Sequence, residues 1–184
     1  MTIGIIGGGA AGMAAALAAS ENENVQVILL ERQARVGKKL SATGNGRCNL
    51  TNLHANEGGY HGEEASFARF ALEKYNVDDT LSWFRSLGLF TVAEESGRVY
   101  PYSDQANSVV DVLRFALEKE NITLKLGFEA EKVKKTAGGF RVDLPQPIHQ
   151  RLHTFPFCFF LQFFPATGGG AGGEIVAFDQ GVHV

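Results

Sequence analysis

Cysteine is nearly missing from this chain of 184 residues, which holds only Cys48 and Cys158. Two distant thiols build no disulfide framework, so a reducing compartment, the cytoplasm, is expected. An excess of one charge sign is missing too. With 17 basic against 20 acidic residues the net charge is −3, which argues against binding to nucleic acid or a membrane surface through bulk charge. Nor is there an unbroken apolar run of spanning length. Residues 3–19 are uncharged, but no Lys or Arg precedes them, and Gly4, Gly7, Gly8, Gly9 and Gly12 interrupt them, so neither a signal peptide nor a membrane helix fits. Residues 152–173 are likewise uncharged and broken by Pro156, Pro165 and Gly168–Gly170, and no membrane role is expected. His54 and His61 lack ligand spacing with any Cys, His or carboxylate cluster, so no metal site is expected.

What is present is an ordinary globular composition, 45% apolar and 20% charged, at a length suited to one domain. It is unevenly spread. The last 41 residues, 144–184, hold 7 of 14 Phe, 4 of 5 Pro, 3 of 5 His and only three charges, Arg151, Glu174 and Asp179. Two compositions meet near Leu144.

Thr2–Ile6 and Val25–Leu30 are short apolar runs suited to buried strands, and Ala10–Ala19 between them is an alanine-rich helix. Strand, glycine turn, helix and strand make a βαβ unit. Arg32–Asn56 is polar and glycine-dotted, a long loop of the kind that is rarely idle. Helices are expected over Glu63–Tyr75, from an Asp78 or Asp79 cap to Leu87, and from Asn107 or Ser108 to Leu117. Hairpins are expected at Leu89–Tyr100 and Glu129–Leu144, with a strand at Ile122–Leu126.

Gly7-Gly8-Gly9-Ala10-Ala11-Gly12 satisfies G-x-G-x-x-G. Alone the pattern is weak, but a strand precedes it, a helix follows, and Glu31 ends the next strand nineteen residues after Gly12. Gly7 would permit the tight turn, Gly9 the approach of a pyrophosphate, and Gly12 close helix–strand packing, with the helix dipole facing the phosphates. Glu31 would accept hydrogen bonds from a ribose and repel a 2′-phosphate, favouring FAD or NAD over NADP. Further on, Gly37-Lys38-Lys39-Leu40 leads into Thr43-Gly44-Asn45-Gly46-Arg47-Cys48-Asn49-Leu50-Thr51-Asn52. Its glycines would free N–H groups to line a flat or anionic ligand, and Arg47 would neutralise a phosphate or a reduced flavin. A solvated basic surface loop satisfies the same spacing, and the residues alone do not separate the two readings.

G-K-K-L-x-x-T-G-N-G-R-C-N-L-T-N, followed by Gly97-Arg98-Val99-Tyr100-Pro101-Tyr102-Ser103-Asp104-Gln105-Ala106, resembles the aminoacetone-oxidase-like, BaiN-like family of bacterial FAD-dependent oxidoreductases. The likeness covers roughly residues 1–143. It implies an α/β, Rossmann-like FAD-binding domain of the two-dinucleotide-binding flavoprotein type, incomplete in this chain, with a helical and hairpin segment over 60–120. It also implies FAD held by Gly7, Gly9, Ala10, Ala11, Gly12, Glu31, Arg32, Lys39, Leu40, Thr43, Gly44, Asn45, Gly46, Arg47, Cys48 and Asn49, with the backbone at Ala130 beside the adenine. Cys48 is expected to be a small packed residue rather than a redox thiol, since no second cysteine lies near it. In the final segment Ala166-Thr167-Gly168-Gly169 resembles the turn such flavoproteins place near FAD, which would add Thr167 and Gly168 to the site. The stronger expectation for 144–184 is an atypical tail produced by a frameshift or truncation.

The implied function is transfer of hydride or electrons between NAD(P)H or a reduced substrate and an unknown acceptor, with FAD supplying the chemistry. No residue reads as a general base. The other readings are a non-catalytic FAD-binding fragment and a flavin-dependent reductase of RNA uridine, to which the net charge lends no support. The small-molecule substrate and the oligomeric state are left open. A plain NAD-dependent dehydrogenase would leave Thr43–Asn52 without a role.

Overall fold

A computed structural model describes residues 1–55, 69–145, 154–155, 161–165 and 173–177, the last three stretches through their backbone alone. In chain order the elements begin with β1 (Thr2–Ile6), α1 (Ala10–Ala19) and β2 (Gln26–Glu31). An irregular 3-10 stretch, Leu40–Gly46, then precedes β3 (Thr51–Asn52), α2 (Arg69–Lys74), α3 (Val77–Ser86), β4 (Thr91–Ala93), β5 (Arg98–Pro101) and α4 (Ala106–Ala116). The chain continues through β6 (Ile122–Leu126), β7 (Lys132–Thr136), β8 (Gly139–Asp143), β9 (Thr154–Phe155), β10 (Leu161–Pro165) and β11 (Gly173–Ala177). They fall into two units, Met1–Lys38 with Ala116–Val184, and Lys39–Phe115.

The first unit is built on a five-stranded sheet of order β11-β10-β1-β2-β6. β1 runs parallel to β2 from Thr2↔Gln26 to Ile6↔Leu30, and β2 parallel to β6 from Val27↔Ile122 to Glu31↔Leu126. β10 lies parallel on the other side of β1, and β11 closes that edge antiparallel. Parallel central strands are covered on both faces, which is why Val27, Leu29 and Leu30 of β2 are all buried. β2 starts one residue later than expected because the Val25 N–H closes a turn on the Asn22 carbonyl. Met13, Ala16 and Leu17 of α1 are buried too, and small alanines let this helix lie close over β1 and β2. A second core joins Leu30 to Val142, with Ile28, Phe128, Ala130, Val133 and Phe140 packed around it. Together these are the expected α/β architecture with a parallel sheet.

The second unit carries a three-stranded antiparallel sheet, β3-β5-β4, with β5 central. Leu89, Val99 and Tyr100, and Val109, Val110 and Leu113 of α4, are buried. The start of α3 corrects one expectation. Its cap is Asn76, whose Oδ1 accepts from the Asp79 N–H at 2.9 Å while Asp79 Oδ2 accepts from the Asn76 N–H at 3.2 Å. Asp79 is thus the return partner of a capping box and not the cap itself. Most of the expected helix Glu63–Tyr75 lies outside the described residues; Arg69–Lys74 is its described part. Among the described residues no helix is long and apolar enough to cross a membrane.

Candidate functional site

The glycine loop follows β1, the strand at which the sheet order reverses: β2 and β6 lie to one side and β10 to the other. In parallel sheets that reversal leaves a crevice at the carboxyl ends of the strands. Gly7 turns the chain there with φ +100°, and its N–H donates to the Leu30 carbonyl at 2.7 Å. A Cβ on Gly12 would stand 1.8 Å from the Gly7 carbonyl oxygen. The close packing of α1 against the turn therefore depends on Gly12 being bare. Gly9 is the N-cap of α1, extended at φ −78° and ψ −176°, and no side chain caps the helix. A Cβ there would meet nothing within 4 Å. Ala10 and Ala11 are exposed and no acid occupies the first turn. This helix start is uncapped and open on one side, and its first turn carries no acidic residue, which suits an anion.

Glu31 ends β2 beside that loop. Its Oε2 accepts from the Gly8 N–H at 2.6 Å, and its Oε1 from the Gln33 N–H at 2.7 Å. Gly8 is wedged against Val36, where a Cβ would come within 2.7 Å of Cγ1, and its carbonyl accepts from the Gly37 N–H at 2.7 Å. Glu31 thus clamps the loop, and each oxygen keeps a lone pair for a ribose hydroxyl. Arg32 is exposed and reaches Glu129 Oε1 at 3.5 Å. Ala130 sits four residues beyond β6, half-buried in the Leu30–Val142 cluster.

In the second unit the Thr43–Asn49 loop is folded by left-handed residues. Gly44, Asn45, Gly46 and Cys48 have φ of 55°, 55°, 83° and 60°. Two of these are not glycine, and such residues persist only where their surroundings fix them. The Arg47 and Cys48 N–H groups close back on the Gly44 and Thr43 carbonyls, each at 3.1 Å. With its amide nitrogen turned toward them, Asn49 donates to the Thr51 carbonyl at 2.8 Å and the Val99 carbonyl at 3.2 Å. The Thr43 hydroxyl donates to the Leu40 carbonyl at 2.7 Å. Lys39 and Leu40 open the stretch, Lys39 exposed and Leu40 half-buried.

Arg47 is not presented as a bare cation. Its Nε donates to Asp104 Oδ1, its Nη2 donates to Glu94 Oε1 at 2.8 Å, and its guanidinium lies 3.9 Å from the centre of the Tyr100 ring. Hydrogen bonding first to Glu94 and then to Asp104 holds it protonated even more firmly than an ordinary arginine. Cys48 is 2% exposed. Burial raises its thiol pKa, partly offset by Thr43, so it is a protonated packing residue at neutral pH.

The model of the HI0933-like protein Rossmann domain matches residues 1–155. The chain belongs to this family. The 3-dehydro-bile acid delta(4,6)-reductase of Clostridium scindens is 47% identical over 139 residues, covering 75% of this chain and 34% of the relative. The ribosomal RNA dihydrouridine synthase of Escherichia coli is 33% identical over 140 residues, covering 76% and 34%. The chain therefore spans about a third of the length of these curated relatives. Among solved structures, BexE aligns with a TM-score of 0.52 at 14% identity, over 86% of this chain and 30% of that one. A flavocytochrome c3 fumarate reductase aligns at 0.50 and 20% identity, over 77% and 30%. These likenesses speak for the fold.

Within this HI0933-like domain, residues 37–52 and 97–106 read as two separate motifs in the sequence. The structure makes them one body: β3 pairs with β5 through Thr51↔Val99 and Asn52↔Arg98, and Arg47 crosses to Asp104. Sequence reasoning missed Glu94 and Asp104 as partners of Arg47, and Val36 as the wall behind Gly8. Asp104 belongs to the 97–106 motif and has φ +57°, an unusual backbone for a non-glycine residue; Glu94 carries no local signal. Thr167 and Gly168 lie outside the described residues. Among the described residues no group of three or more His, Cys, Asp or Glu is placed to hold a metal ion.

Proposed function

We propose that this chain supplies the FAD-binding part of a flavin-dependent oxidoreductase. The observation that carries the reading is the open, uncapped start of α1 at the sheet reversal, with Glu31 clamped beside it. The fit is physical: a Cβ at Gly9 would meet only empty space, as a backbone cradle for a pyrophosphate demands. Gly9, Ala10, Ala11 and Gly12 would hold the pyrophosphate through N–H groups, Glu31 the adenosine ribose, and the backbone near Ala130 the adenine. Arg32 and Lys39 would add positive charge, and the Thr43–Asn49 loop would offer polar backbone to the flavin. Thr167 and Gly168 belong to the same proposal. Bound FAD supplies hydride and electron transfer. The protein's own part is to bind it, orient it and choose an unphosphorylated ribose, with NAD(P)H as one candidate donor and the acceptor unassigned. The 47% identical reductase supports this reading. We place the protein in the cytoplasm, in keeping with its lack of a disulfide framework.

The relative named for ribosomal RNA dihydrouridine synthesis supports a second reading, reduction of an RNA base, at the lower identity of 33%. The net charge of −3 lends it nothing.

The deciding experiment reconstitutes the purified chain with FAD and records its visible spectrum before and after anaerobic NADPH. Retained flavin absorbance through gel filtration is expected; a colourless protein overturns the assignment. Retention without bleaching selects the non-catalytic reading. RNA binding that weakens steeply with salt selects the second reading.

A further inference from the structure

Arg47 is the residue that the cofactor reading would most readily cast as an anion contact, and the geometry points elsewhere. Its guanidinium meets two carboxylates, Glu94 just beyond β4 and Asp104 just beyond β5, and its Cζ lies over the Tyr100 ring of β5. Within that cluster negative charge outweighs positive, so an incoming phosphate or reduced flavin would meet no net attraction there. The same contacts tie both ends of the β4–β5 hairpin to a loop with four left-handed residues, two of them not glycine. Tyr100 is nearly buried, and its Cε1 lies 3.7 Å from where a Cβ on Gly44 would sit, so loop, arginine and ring stack as one body.

We propose that Arg47 is a positioning residue, which pins the Thr43–Asn49 loop through Glu94, Asp104 and Tyr100 so that the loop's backbone, and not the arginine's charge, meets FAD. The proposal rests on the FAD reading above. Planarity is essential to it: a guanidinium bonds two carboxylates while stacking on a ring, and a lysine ammonium does not.

The test measures FAD affinity by flavin fluorescence, and amide hydrogen exchange of residues 43–49 without FAD. It uses the wild type, Arg47→Lys, Arg47→Ala, the pair Glu94→Gln/Asp104→Asn, and that pair combined with Arg47→Ala. The pair is expected to weaken FAD at least tenfold although Arg47 is still present, and to speed exchange across the loop. Adding Arg47→Ala to the pair is expected to cost less than threefold more, because the three side chains act as a unit. Arg47→Lys is expected to behave like Arg47→Ala with a smaller loss. The proposal is overturned if the pair binds FAD as tightly as wild type or tighter while Arg47→Ala keeps its full effect in that background, the signature of a direct charge contact. Unchanged exchange in Arg47→Lys, the variant gentlest on folding, overturns it equally. A wild type that binds no FAD defeats the cofactor reading alone, and loop exchange then decides whether Arg47 pins the loop.

Discussion

At Gly12 one methyl group decides whether α1 docks. An added Cβ would stand 1.8 Å from a backbone oxygen, that of Gly7, so no rotamer change relieves the clash. Gly12→Ala must push the helix off the turn, at a cost of about 3 kcal/mol by the usual scale of overpacking. Urea unfolding should show that loss, together with loss of FAD binding; a stable Gly12→Ala protein would mean that the turn relaxes freely. Residues of this kind were legible in the sequence because their partners are local. Gly7, Gly9 and Gly12 share one turn, and Glu31 ends the very next strand. Arg47 was not legible in the same way, since its acceptors lie 47 and 57 residues away. Its charge reads from the sequence as available to a ligand, and only tertiary structure shows that two carboxylates already hold it.

Elements were legible where a period and a stop signal agreed. β1, α1 and β6 fall on the residues their patterns mark, because each is an apolar-patterned run closed by a glycine or polar residue. The 3-10 stretch at Leu40–Gly46 carried no periodic signal, since its shape comes from left-handed residues and carbonyl closures. What joins elements was less visible than the elements. Asn121, just before β6, donates from Nδ2 to the Ser20 carbonyl at 2.9 Å and the Val25 carbonyl at 3.1 Å. Lys119 Nζ adds a bond to Ser20 Oγ at 3.1 Å. One amide thus answers carbonyls at the end of α1 and the entry of β2. Asn121→Ala should lower stability by about 1–3 kcal/mol, the cost of stranding partly buried acceptors. Asn121→Asp should not rescue it, because a carboxylate has no proton to donate. Chemical denaturation of both variants checks this, and an unperturbed Asn121→Asp would refute the clasp.

At the scale of the whole molecule, composition and hydrogen bonding mark different boundaries. Phe, Pro and charge usage change near Leu144, whereas β10, beyond that point, lies beside β1 in the same sheet. Backbone pairing is indifferent to the composition that side-chain counts register, so averages along the chain do not show which strands pair. The sheet reversal that β10 creates at β1 is the feature that gives the glycine loop a crevice to face. Ligand binding there must report on global stability, because a group that binds only the folded state adds RT ln(1 + [L]/Kd), ~2.7 kcal/mol at a hundredfold excess over Kd. For a chain of this size each kcal/mol raises Tm by roughly 2–4 °C, so saturating FAD should raise it by about 5–11 °C. Glu31→Gln separates binding from folding. It leaves one of the Gly8 and Gln33 N–H groups without its acceptor and would weaken the proposed ribose contact, so the FAD-dependent rise should shrink well below the wild-type value. AMP, which lacks the flavin, should give a smaller rise that Glu31→Gln also diminishes. A Tm that ignores FAD in a protein with native circular dichroism would show that the crevice, though built, is not where the nucleotide binds.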